Sequence, residues 1–190
     1  MTVQLPITAE PQRARLTARD FWTLAGAGAF DGFAKSELIE GEIWIVNAVY
    51  AWHAKVTAYL SIELGLALRQ LGSELIVYTS GSVDLNDDCV PEPDVSVAED
   101  HDDQAIPLAK VRLAVEVADT TRTNDLTRKP TLYARAGVPE YWIVDREKRH
   151  VVRMWSPAAG GYVCQDEVAF GARLSSATLS GLTISTDQLR

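Results

Sequence analysis

PEPDVSVA (residues 91–98) and LAVEVADTTRTNDLTRKPTLYARAGVPEYWIVD (residues 113–145) decide how this chain folds. DVSVA and LAVEV are short, valine-rich apolar runs, the pattern of strands. Glu116 sits inside the second run, between Val115 and Val117. Strands buried on both faces read as near-continuous apolar stretches, and a carboxylate in one needs a partner, because an unpaired buried charge is costly. The pattern then turns helical over about 124–136 and stops at Gly137, a left-handed cap position ahead of Pro139. YWIVD (141–145) follows as another strand, opened by two aromatics suited to a core.

Working outward, Thr17 to about Ala27 reads as a short capped helix with Phe21, Trp22 and Leu24 inward. ELIE and EIWIV form a hairpin over 36–46 around Gly41, with Glu42 on its solvent face. The strongest helix is Tyr50 to Leu71, where Trp52, Val56, Leu60, Leu64, Leu68 and Leu71 recur on one face. Further strands are expected at about 74–79, 82–85, 94–98 and 112–118, then in HVVRMW and GYVCQDEV. This order fits one mixed α/β sheet with helices packed on it. Residues 1–16 read as a flexible lead and 17–190 as a single domain, a length that suffices for one real core.

Asp94, Glu116 and Lys129 fall at the ends of, or inside, these apolar runs. Two acids and a lysine on two strands and the following segment suggest a divalent-metal site for phosphodiester cleavage. Each residue alone has a plainer reading: Asp94 as a turn acid bonding its own backbone, Glu116 as the partner of a buried base, Lys129 as a solvated lysine. The combination is what points to a site.

That combination resembles the PD-(D/E)XK nuclease superfamily, and within it the Uma-type branch described as restriction endonucleases. The resemblance runs over about residues 17–155, through SELIEGEIW (36–44), HAKV (53–56), EPDVSVA (92–98), LAVEVADTTRTNDLTRK (113–129) and YARAGVPEYWIVD (133–145). It implies a restriction-endonuclease-like mixed sheet flanked by helices, with an N-terminal β-hairpin. It also implies that Asp94 and Glu116 hold magnesium, with manganese as a substitute, while Lys129 orients or activates the attacking water. Glu40 stands where the family has an acid near the site, either a third ligand or a turn acid. His53 also matches the family, and is otherwise a capping or core histidine. A literal ExK is absent, since Ala118 follows Glu116 by two, so Lys129 supplies the amine from the next helix. Pro130 then requires that helix to start near Lys129 or to kink there. Asp125, four residues earlier, has the spacing of a helical ion pair with the lysine.

The chemistry suits these residue types. Magnesium prefers oxygen ligands, keeps several waters and uses one or two carboxylates plus substrate phosphate. It lowers the pKa of bound water and neutralises charge on phosphorus, and a lysine adds positive charge where the transition state is negative.

Composition bounds the partners. The formal charge of -8 opposes a polyanion at long range. Nine acidic residues and no base lie between Asp84 and Asp103, whereas Arg122 to Arg153 holds eight bases against four acids. This basic strip is either a docking edge for nucleic acid or a solvated face. DNA is the substrate implied by resemblance. The alternatives are an inactive nuclease-fold module that binds nucleic acid or a partner protein, and a hydrolase of another phosphodiester such as a nucleotide. Base stacking on Trp44 or Trp155 stays open. No apolar run approaches the ~18 residues of a membrane span, and MTVQLPITAEPQRAR lacks a signal-peptide core, so a cytoplasmic protein without membrane attachment is expected. Cys89 and Cys164 are far apart, with no CxxC, and read as free thiols rather than zinc ligands. Exposed edges in YWIVD or HVVRMW would allow pairing between subunits, and a homodimer would suit a double-strand cutter.

Overall fold

The computed structural model describes residues 13–48, 50–118 and 127–189. Helix α1 (Ala18–Gly26) begins at Thr17 with a reciprocal cap: Asp20 N donates to the Thr17 hydroxyl, and the Asp20 carboxylate accepts from Thr17 N. Phe21 is its buried anchor, packed with Leu38 and Val90. The chain just before it is already tied down, since Leu16 N donates to Gly41 O at 3.0 Å.

Strands β1 (Lys35–Ile39) and β2 (Glu42–Val46) form the expected hairpin. Its turn needs positive φ at both Glu40 (50°) and Gly41 (77°), the conformation favoured by tight hairpins. A Cβ on Gly41 would lie 2.8 Å from Arg15 Cβ, so only glycine fits there. Helix α2 (Ala51–Gln70) buries Val56, Leu60, Leu64, Ala67 and Leu68. Leu71, expected on that face, lies past the last turn and is 47% exposed.

The remaining strands are β3 (Ile76–Thr79), β4 (Val83–Asp84), β5 (Val95–Ala98), β6 (Ile106–Pro107), β7 (Val111–Ala118), β8 (Glu140–Asp145), β9 (His150–Ala158), β10 (Gly161–Ala169), β11 (Arg173–Ser175) and β12 (Thr183–Ser185). Six of them make the central sheet in the order β10-β9-β8-β7-β5-β3. Within this sheet, among the described residues, only β7 and β8 run parallel; the other neighbouring pairs are antiparallel. The sheet is therefore mixed, as expected. The strand read at 82–85 is reduced to β4, which pairs with β6 outside the sheet. YWIVD and HVVRMW, read as exposed edges, are the interior strands β8 and β9; the edges are β3 and β10. Pairing between subunits through those two runs is thus excluded by neighbours within the chain. The C-terminal pair β11–β12 carried no clear sequence signal.

The two faces of β7 explain the site. Leu113, Val115 and Val117 join the core under α2 with Val95, Val97, Trp142 and Val144. Ala114 and Ala118 join the opposite core with Tyr133, Tyr141 and Ile143. Glu116, between them in the alternation, faces helix α3 (Lys129–Ala136). Pro130 falls in the first turn of α3, where its missing N–H breaks no bond. Regular helix thus starts at Lys129, behind a wider π-type turn at Thr127 and Arg128. Gly137, at φ 89°, is the left-handed cap. Asp125 lies outside the described residues. Cys89 and Cys164 are both free, and among the described residues no helix is long and apolar enough to cross a membrane.

Candidate active site

Asp94 precedes β5 and docks on the backbone of β7: its Oδ2 accepts from Val117 N at 2.7 Å. This places it beside Glu116, one residue earlier on β7. His53 Nε2, in the first turn of α2, lies 3.1 Å from the same Asp94 oxygen. Glu116 Oε1 accepts from Lys129 Nζ at 2.8 Å and from the Tyr133 hydroxyl at 3.3 Å, both delivered by α3. Lys129 Nζ also donates to Glu37 Oε1 on β1 at 3.0 Å, and that oxygen takes the Glu92 N–H at 2.8 Å. A second ammonium, Lys35 Nζ, lies 3.4 Å from Asp94 Oδ1 and 3.8 Å from both Glu37 Oε1 and Glu116 Oε2.

The cluster is dry by the standards of charged groups: Glu116 is 1% exposed, Lys129 5%, Asp94 and Glu37 7% each. Burial of this kind is tolerable only with pairing and hydrogen bonds. Burial raises the Asp94 carboxyl, but Lys35, His53 and Lys129 outweigh it and hold the group well below the usual carboxylate range. For Glu37 burial is likewise outweighed, by Lys129, Lys35 and the Glu92 amide. Lys35 is pushed down by burial and by Lys129, but the three carboxylates win and raise it above an ordinary lysine.

These groups form one side of a cavity of about 360 Å³ that also reaches Val46 at the end of β2, Ala48, Tyr50 at the N-cap of α2, and Ala54 and Ala58 of α2. Charge on one side and apolar wall on the other suit a ligand that carries both.

Four of the residues expected at the site, Asp94, Glu116, Lys129 and His53, thus come together. Glu40 does not join them: its Oε2 accepts from Arg128 Nη2 at 2.8 Å and Nε at 3.1 Å, and that guanidinium lies 5.1 Å from the Trp44 ring centre. The acid that β1 does send into the cluster is Glu37, three residues earlier, together with Lys35. Glu37 had a legible signal, an acid next to Leu38 and Ile39 in a strand, the same anomaly that marked Glu116. Lys35 had none. Several bases of the strip are engaged by the chain itself while staying at the surface: Arg135 donates to Ala159 O, Arg153 pairs with Asp166, and Arg146 lies over Trp52.

The donor set fits a hard cation. Among the described residues no three Asp, Glu, His or Cys side chains are arranged as a ready metal cage, but magnesium takes only one or two carboxylates and completes its shell with water and phosphate. Asp94 and Glu116 provide such oxygens beside a cavity, and already converge on a cation, the Lys35 ammonium.

Comparison with known proteins agrees with this reading of the fold. The solved structure of a "putative nuclease belonging to DUF820" from Anabaena variabilis superposes with a TM-score of 0.70 over 92% of this chain and 97% of that one, at 15% identity. That likeness shows a shared restriction-endonuclease-like fold. No curated protein matches the chain. The model of the Uma2 family, described as "Putative restriction endonuclease", matches residues 30–187. That match spans the hairpin, the buried charge cluster and the whole central sheet, and the chain belongs to the Uma2 family.

Proposed function

We propose that this chain is a metal-dependent nuclease that hydrolyses phosphodiester bonds, with DNA as its substrate. The observation that carries the reading is the meeting of Asp94, Glu116 and Lys129 beside one cavity, from three separate elements. Asp94 and Glu116 would hold magnesium, or manganese in its place. The bound ion would polarise a phosphoryl oxygen and acidify a water.

The chain's own groups do the rest. The Val117 amide and His53 fix the orientation of Asp94. Tyr133 and Lys129 fix Glu116. Glu37 holds the other side of the Lys129 ammonium, so that its positive charge is set beside the acids, where it counters charge developing on a phosphate. Glu40, bonded to Arg128, would act at the rim by ordering that arginine rather than as a ligand.

Manganese calorimetry followed by cleavage assays on plasmid and single-stranded DNA tests the reading. Wild type is expected to bind the ion and to cut only when it is present. Asp94→Asn should lose site-specific binding and lower cleavage by about 100-fold or more. Binding unchanged by the substitution would sink the metal site. A second reading, a hydrolase of small nucleotide diesters, is favoured by the net charge of -8, which opposes a long polyanion more than a small one. Competition of free nucleotides with DNA would point to it.

A further inference from the structure

Two lysines serve the cluster, and they are held differently. Lys129 makes close bonds of 2.8 and 3.0 Å to two acids and lies at the start of a helix. Lys35 makes no contact shorter than 3.4 Å to the acids, yet stands within 4 Å of Asp94, Glu37 and Glu116. Lysine is a compact point charge on a flexible four-carbon stem, and this one comes from a strand of the hairpin and lines the cavity. A position shared among carboxylates from three elements, none of them tightly bonded, is that of a counter-ion. Its stem gives it a route out, toward the cavity.

We propose that the Lys35 ammonium competes with the divalent cation for Asp94 and Glu116, and that metal binding drives it into the cavity. This rests on the metal reading above. Two like charges between the same oxygens repel strongly at such separations, so the cation enters as the ammonium leaves. The displaced ammonium then faces the space that a substrate phosphate would occupy, which links metal loading to the supply of a positive charge for the anion. Lys35 is in this sense a positioning residue that sets how much metal the site requires.

The test pairs two measurements that need no catalysis. Manganese is titrated calorimetrically into wild type, Lys35→Met and Asp94→Asn, with thermal melting to establish that each is folded. In parallel, wild type is acetylated at lysine with and without manganese, and labelling is read by mass spectrometry. The expected result is roughly tenfold or tighter manganese binding by Lys35→Met, and faster labelling of Lys35, but not of Lys129, when manganese is present. Labelling of Lys35 that is indifferent to manganese overturns the proposal even if the Met variant misfolds. Wild-type affinity in a folded Lys35→Met overturns it too; if Asp94→Asn still abolishes binding, the metal reading survives. Manganese bound by neither wild type nor Lys35→Met overturns both.

Discussion

Glu140 and Glu116 are both buried carboxylates on the central sheet, and the protein satisfies them in opposite ways. Glu140, fully buried at the start of β8, takes hydrogen bonds from Trp142 Nε1 (2.6 Å), Ser176 Oγ (2.6 Å), Ala177 N (3.0 Å), and Thr178 N and Oγ1 (2.9 and 2.8 Å). Every one of these donors is neutral, and the backbone amides among them are fixed by the chain. Glu116 instead leans on the Lys129 ammonium and a tyrosine hydroxyl, with a second ammonium nearby and a cavity beside it. A carboxylate wrapped in fixed dipoles is a structural rivet, joining β8 to the segment before β12. One held by side-chain cations is balanced by charges that, on the proposal above, a different cation could replace.

The contrast predicts that the two sites fail differently. Glu140→Ala leaves several donors unpaired and is expected to cost about 3 kcal/mol or more in urea denaturation, while the folded fraction binds manganese as wild type does. A stable variant that lost metal binding would erase the distinction. Glu92 offers a subtler break. Burial, with Glu37 and Asp94 adding to it against Lys35 and Lys129, pushes its carboxyl up to about 7. Between pH 4.5 and 7 the folded protein therefore retains a proton that the unfolded chain has released, and stability declines as pH rises through that range. Glu92→Gln should flatten the melting temperature against pH from 5 to 7 and raise it by a few degrees above pH 7; an unaltered slope would show that the cluster does not govern this acid. The smallest effect belongs to Glu40→Gln. Its ion pair with Arg128 is partly exposed, so stability should change by less than about 1 kcal/mol and manganese affinity not at all. Lost affinity would put Glu40 back among the ligands.

Much of this was legible because the informative residues break a local pattern. Glu116 interrupts a buried valine strand, Gly137 and Pro139 end a helix, and Val56, Leu60, Leu64 and Leu68 repeat at helical spacing. What a local pattern cannot carry is which strands become neighbours. Whether YWIVD sits at an edge depends on β7 and β9, and β4 pairs with β6 because of contacts made across more than twenty residues. Lys35 was silent for the same reason: nothing in KSELI announces that its ammonium will meet acids from two other elements. Glu37 carries the same signal as Glu116, an acid inside an apolar strand, whereas Glu40 is the more conspicuous acid of the hairpin because it stands beside the turn glycine.

The centre draws on β1, α2, the approach to β5, β7 and α3, and its bonds join residues as far apart in sequence as Glu37 and Lys129. No short piece of chain contains a forerunner of it, and contacts of such separation form late, because long loops must close first. A polypeptide still emerging from the ribosome has no complete centre before α3, which carries Lys129 and Tyr133, is made. Synthesis of α3 is thus the earliest point at which the cluster can be whole.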